Sequence, residues 1–127
     1  MSRKAISKEI RSGHEYCVIQ SMLWAVVNFN VYFKESTINF SLRDMFRTSR
    51  RTEKYVLRRH MIWYFVHTEC GWCTHYIALT TGVSRYGIQK GVDRILAMRD
   101  NDDNLDRLFD RMRQEYLKDT KGVYTNV

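Results

Sequence analysis

Residues 74–95, THYIALTTGVSRYGIQKGVDRI, decide how this chain is read. Ile77 and Ala78 fall where a first helix would face a core. Gly82 follows four residues after Ala78, where a tight interhelical turn needs the positive φ that glycine adopts without steric cost. Val83 plugs the turn, and Ser84 stands where it caps a second helix by accepting from the free N–H groups. Ile88, Val92 and Ile95 recur at helical spacing and give that second helix one buried face. Its outward face is left with Arg85, Tyr86, Gln89, Lys90 and Arg94. The spacing predicts a helix-turn-helix over about 74–97. Such outward side chains reach base edges or phosphates when the helix lies in a major groove. Two helices packed at an angle need only the apolar pattern. The basic outer face, in a basic chain, is the part that points to nucleic acid.

Around this stretch the composition is permissive of one helical domain. The 127 residues suffice for a single core. Against 14 Asp and Glu stand 21 Lys and Arg, a net charge of +7, which favours a polyanionic partner without separating DNA from RNA or an anionic membrane. Hydrophobic residues at 44% argue against disorder. With no Pro and 6 Gly, little interrupts long helices, and the expected class is all-α. The start, MSRKAISKEIRSG, lacks the apolar region of a signal peptide. The most apolar run, 16–27, is broken by Gln20 and Ser21 and is too short to span a bilayer. Three cysteines without framework spacing fit a reducing compartment, so the expectation is a cytoplasmic protein with no membrane partner.

Residues 1–13 carry Arg3, Lys4, Lys8 and Arg11 with few apolar side chains and read as a basic arm, ended or redirected near Gly13. The helical domain is expected over 14–117, with a loose tail at 118–127. Its first helix, 14–34, carries Val18, Ile19, Met22, Leu23, Val26, Val27 and Val31. A polar linker at 35–39 leads to Ser41, an N-cap for a short helix with Asp44 completing the box. Residues 48–67 read as a second long helix capped by Thr52, nearly all apolar in its last half, hence central, and ended by Gly71. After the helix-turn-helix comes an acidic connector at 100–103. A last amphipathic helix carries Leu105, Leu108, Phe109, Met112 and Tyr116.

Between 43 and 59 lie Arg43, Arg47, Arg50, Arg51, Lys54, Arg58 and Arg59 against only Asp44 and Glu53. Arg50 and Arg51 fall in a loop, where planar guanidinium forks suit phosphates, guanine edges or a narrow minor groove. This order of features resembles the C-terminal DNA-binding domain of the bacterial replication initiator DnaA, a relative of the Trp repressor fold. Arg50-Arg51 falls on the family's Arg pair, Arg59-His60-Met61 on its Arg-Gln-Met, and Tyr76-Ile77-Ala78 on its Glu-Ile-Gly. The resemblance covers about residues 40–98 and implies a Trp repressor-like helix-turn-helix that binds double-stranded DNA. The family's Gly-Gly-Arg-Asp-His-Ser/Thr-Thr signature is replaced by Gly82-Val83-Ser84-Arg85-Tyr86-Gly87, one residue shorter, so the family's target sequence does not carry over. No GxxxxGK[ST] phosphate loop is present for ATPase chemistry.

His67, Cys70, Cys73 and His75, in HTECGWCTH, have the residue types of a zinc site. All four lie within nine residues, whereas structural sites usually join two distant pairs. Packing is the preferred reading, and no metal and no cofactor are expected. The run Trp63, Tyr64, Phe65 is assigned to core rather than to base stacking. No Ser/His/Asp or paired-carboxylate set stands out, so no enzymatic activity is expected. The expected DNA contacts are Arg50, Arg51, Lys54, Ser84, Arg85, Tyr86, Gln89, Lys90 and Arg94. A homodimer is considered, and no small-molecule substrate. The rival expectations are a protein-interaction module using an apolar helix face and a binder of structured RNA.

Overall fold

A computed structural model describes residues 3–32, 40–47 and 50–119, with side chains from Cys17 onward. Among the described residues there are five α-helices and no strand: α1 (Arg3–Tyr32), α2 (Glu53–Tyr64), α3 (Thr74–Thr81), α4 (Arg85–Asn101) and α5 (Asp103–Asp119). A short 3-10 helix, Leu42–Met45, precedes α2, and a π turn, Phe65–Glu69, extends it. None of these helices is long and apolar enough to cross a membrane. The expected linker at 35–39 and the tail from 120 onward lie outside the described residues.

Helix α1 buries Val18, Met22, Ala25, Val26 and Phe29, a stripe at spacings of three and four. Two expectations are corrected there. The helix begins at Arg3 and passes through Gly13 without a break, since an isolated glycine lowers helix propensity by only about 1 kcal/mol. Leu23, Val27 and Val31 form a second, parallel stripe that stays exposed, Val31 by 61%.

Helix α2 is central, as its apolar second half requires: Met61, Ile62, Trp63, Tyr64, Phe65 and Val66 are consecutive and all buried. The π turn was not foreseen. There the Cys70 N–H donates to the Phe65 carbonyl at 3.0 Å, and the Trp72 N–H donates to the Val66 carbonyl at 3.1 Å. Gly71 follows with φ of 84° and ends the helix where expected. Rings from α1, α2 and α5 interlock in the core, with Tyr64–Phe109 centroids 4.9 Å apart and Phe29–Phe109 5.7 Å apart.

The broadest interhelical contact is between α2 and α4. It depends on Gly91, where a Cβ would stand 2.8 Å from both His60 Cδ2 and Trp63 Cε3. At the far end of α4, Arg99 binds Glu69 at 3.1 Å, Asp110 at 3.0 Å, Asp106 and the Tyr64 hydroxyl at 2.9 Å. One guanidinium thereby joins α2, the π turn, α4 and α5. A single residue, Asp102, separates α4 from α5, and its carboxylate caps α5 by accepting from the N–H groups of Asn104 and Leu105. Leu105, Phe109, Met112 and Tyr116 are buried on α5, with Leu108 half-buried beside them.

Candidate nucleic-acid interface

The turn between α3 and α4 occupies residues 82–84. Gly82 has φ of 75° and donates its N–H to the Ala78 carbonyl at 2.9 Å, ending α3 in the left-handed conformation that glycine favours. The Thr81 hydroxyl donates back to the Ile77 carbonyl at 2.8 Å and accepts from the Val83 N–H at 3.3 Å. Ser84 caps α4 by accepting from the Gly87 N–H at 3.0 Å. Ile77, Ile88, Val92 and Ile95 are buried, and Ala78 is half-buried. This fixes the rotation of α4.

Arg85, Tyr86, Gln89 and Lys90 consequently lie on the exposed face of α4, Tyr86 with 73% of its surface free. Lys90 Nζ sits 5.4 Å from the centre of the Tyr86 ring. Arg85 Nε reaches the Thr74 hydroxyl at 3.4 Å, which leans its guanidinium toward the start of α3. Gln89 Nε2 donates to Asp93 at 3.0 Å, leaving its second amide hydrogen and its carbonyl oxygen. Asp93 is an acidic member of this face that periodicity alone did not bring forward. Arg94 departs from the expected group. Its guanidinium binds Glu53 and reaches His60 Nδ1 at 3.3 Å, so it ties α4 to α2.

The basic cluster divides in the same way. Arg58 and Arg59 are buried rather than solvated. Arg59 donates to the Asp44 carbonyl at 2.9 Å and to the Arg50 carbonyl, tying the 3-10 helix and Arg50 to α2. Asp44 in turn accepts from the Ser41 N–H at 2.8 Å, completing the box predicted for the short helix. Burial, with Arg51 nearby, holds the Arg59 guanidinium below its ordinary pKa, and Asp44 offsets part of this. Arg50 is exposed, with its guanidinium 5.0 Å above the Tyr55 ring. Arg51 and Lys54 are exposed.

The loop reaches the turn directly: the Arg47 N–H donates to the Thr81 carbonyl at 3.0 Å. Between them opens a cleft of about 800 Å3 whose rim includes Arg47, Arg51, Leu79 and Ser84. The basic loop and the start of α4 thus flank one surface feature, which sequence reasoning did not detect.

Of the candidate metal quartet, His67 and Cys70 are half-buried while Cys73 and His75 are exposed, so the packing expectation is corrected for the latter two. His67 Nδ1 is 2.7 Å from the Trp72 carbonyl oxygen, Cys73 is exposed before α3, and His75 is exposed on α3. Burial pushes the Cys70 thiol up to about 12, beside the Ser21 and Tyr116 hydroxyls, so it stays protonated at neutral pH. Ser21 also accepts from Trp72 Nε1 at 3.1 Å and lies 3.0 Å from the Tyr116 hydroxyl. This small polar cluster joins α1 to α5.

No family model, curated protein or solved structure matches this chain.

Proposed function

We propose that the chain binds double-stranded DNA without catalysis, with α3 and α4 acting as a helix-turn-helix of the Trp repressor and DnaA C-terminal type. The observation that carries the reading is the exposed set Arg85, Tyr86, Gln89 and Lys90 on a helix capped by Ser84 and held by its buried Ile88, Val92 and Ile95. With α4 in a major groove, Gln89 pairs with an adenine edge and Arg85 with a guanine edge. Arg50, Arg51, Lys54 and Lys90 bind phosphates and set the register. Tyr86 and the start of α4 at Ser84 meet the sugar-phosphate chain or a thymine methyl. Arg94 is left out of this set because Glu53 and His60 engage it. The biological role that fits is initiation of replication or regulation of transcription in a cytoplasmic setting.

One observation supports a second reading. The exposed stripe Leu23, Val27 and Val31 on α1 is apolar surface suited to a protein partner, including a second copy of the chain.

Competition on a labelled duplex tests the first reading. Unlabelled duplex DNA should displace the probe at lower concentration than structured RNA of equal length. RNA winning the competition would move the face to the RNA class. Absence of binding to either would leave the α1 stripe as the better guide.

A further inference from the structure

The cleft beside α4 has one charged side and one apolar side. Arg47, Arg51 and Arg59 converge on it from the loop and α2, and Val56, Trp63 and Leu79 contribute its apolar lining. Two features of its lining bear on a ligand. Trp63 is only 3% exposed, yet its Nε1 has no hydrogen-bond partner, the one buried side-chain polar atom among the described residues in that condition. The Cε3 edge of the indole abuts Gly91 on α4, so the edge that carries Nε1 is turned away from that helix. A buried N–H without an acceptor is a costly feature for a fold to keep. The second observation is the pair Arg51 and Arg59, close enough for their charges to oppose one another. Arg59 spends Nε and Nη2 on the carbonyls of Asp44 and Arg50, which leaves Nη1 for an anion.

We propose that this cleft binds a nucleotide. Arg47, Arg51 and Nη1 of Arg59 hold the phosphate, the flat base lies along the apolar lining, and the indole of Trp63, whose Nε1 is covered in the free chain, shifts to donate to a base nitrogen or carbonyl. The volume of about 800 Å3 is within the roughly 300–1,000 Å3 usual for small-ligand sites. This goes beyond duplex recognition by α4 and departs from the sequence-based expectation of no small-molecule partner. The same chemistry comes from two sources, a free mononucleotide or a single unpaired unit of a DNA strand.

The test is a titration of the full chain followed through the indole N–H resonances in nitrogen–proton correlation spectra. The Trp63 signal is assigned by its loss in Trp63→Phe. The probes are deoxyadenosine 5′-monophosphate, inorganic phosphate and a short single-stranded oligonucleotide. The proposal expects the Trp63 resonance to move with the mononucleotide or the oligonucleotide, and inorganic phosphate alone to bind more weakly. A response to the oligonucleotide only assigns the strand unit, and a response to the mononucleotide assigns the free ligand. Arg47→Ala should weaken that binding by about tenfold or more, the loss expected for a charged hydrogen bond, while leaving the fold and its indole spectrum intact. A Trp63 resonance unmoved by both nucleotide probes at millimolar concentration overturns the proposal, as does Arg47→Ala binding with wild-type affinity. Duplex binding is measured on the same samples. Its failure alone leaves the cleft standing, and the reverse result removes the cleft without touching α4.

Discussion

Gln89 and Arg85 stand one helical turn apart on α4, and their neighbours tune them differently. The bond from Gln89 to Asp93 fixes the amide plane and leaves one donor and one acceptor, the pair an adenine edge requires. Gln89→Ala should therefore relax preference at one base pair by about 1–3 kcal/mol while binding to random duplex changes little. Affinities for a set of duplexes altered one pair at a time check this; equal losses on every duplex would move Gln89 to the phosphate class.

His60 gives a second prediction at this scale. Burial, then the nearby Arg94 and Arg59 charges, push its pKa down from 6.5 to about 4, and Glu53 offsets little of that. The neutral ring then accepts from the Arg94 guanidinium at Nδ1. Because the folded value is depressed, the unfolded chain binds the proton more readily. The stabilising contribution is complete above about pH 6.5 and is lost as pH falls toward 4. Thermal melting across that window should show a decline that His60→Gln reduces. An identical decline in the variant would assign it to other groups.

At the scale of elements, legibility followed the chemistry of each residue. The turn at 82–84 could be read because a glycine at a left-handed position and a serine cap leave local marks, and both occur where expected, with φ of 75° at Gly82 and the Ser84 cap in place. The apolar run 61–66 announced a central helix for a similar reason. Arginine carries no such mark. Nothing in the string Arg58-Arg59 tells whether a guanidinium faces water or turns back to the carbonyls of Asp44 and Arg50, as that of Arg59 does. Arg94 misled in the same way, since its partner Glu53 lies far away in sequence. The two apolar stripes of α1 are alike in composition, and only the packing of other helices decides which is covered. The cleft escaped for a topological reason: Arg47 and Arg51 meet Leu79 and Ser84 only once the loop pairs with the end of α3.

Gly91 shows how a single position sets the spacing between elements. A methyl group there would stand 2.8 Å from atoms of two rings, His60 and Trp63, so one or both must shift to admit it. The cost of overpacking, about 1–3 kcal/mol, opposes the gain of about 1 kcal/mol in helix propensity for alanine over glycine. Gly91→Ala should therefore destabilise the fold on balance and weaken duplex binding only through that loss. Chemical denaturation gives the answer, and a stabilised variant would mean that α2 and α4 separate more easily than their packing implies. Ile88→Ala is the companion test. Truncating this buried side chain should cost roughly 2–5 kcal/mol of stability, whereas Gln89→Ala should cost little. The opposite ranking would mean that the face assigned to α4 is wrong.

At the scale of the whole molecule, the 21 Lys and Arg behind the net charge of +7 include cations held by internal partners and cations exposed on the surface. Arg59, Arg94 and Arg99 are committed to internal partners, and those commitments hold the loop, α2, α4 and α5 together. Arg50, Arg51, Lys54 and Lys90 are exposed, and they are the ones assigned to phosphates. Neutralising phosphates releases condensed counterions, so affinity must fall with salt in proportion to the number of contacts. The decisive measurement is the equilibrium binding of a labelled duplex across a salt series. Four phosphate contacts predict a straight line of log affinity against log salt with a slope of about −3.6, at about 0.9 per contact. A folded protein that gives a slope near zero, or that binds no duplex even at low salt, would contradict the assignment of this face to DNA.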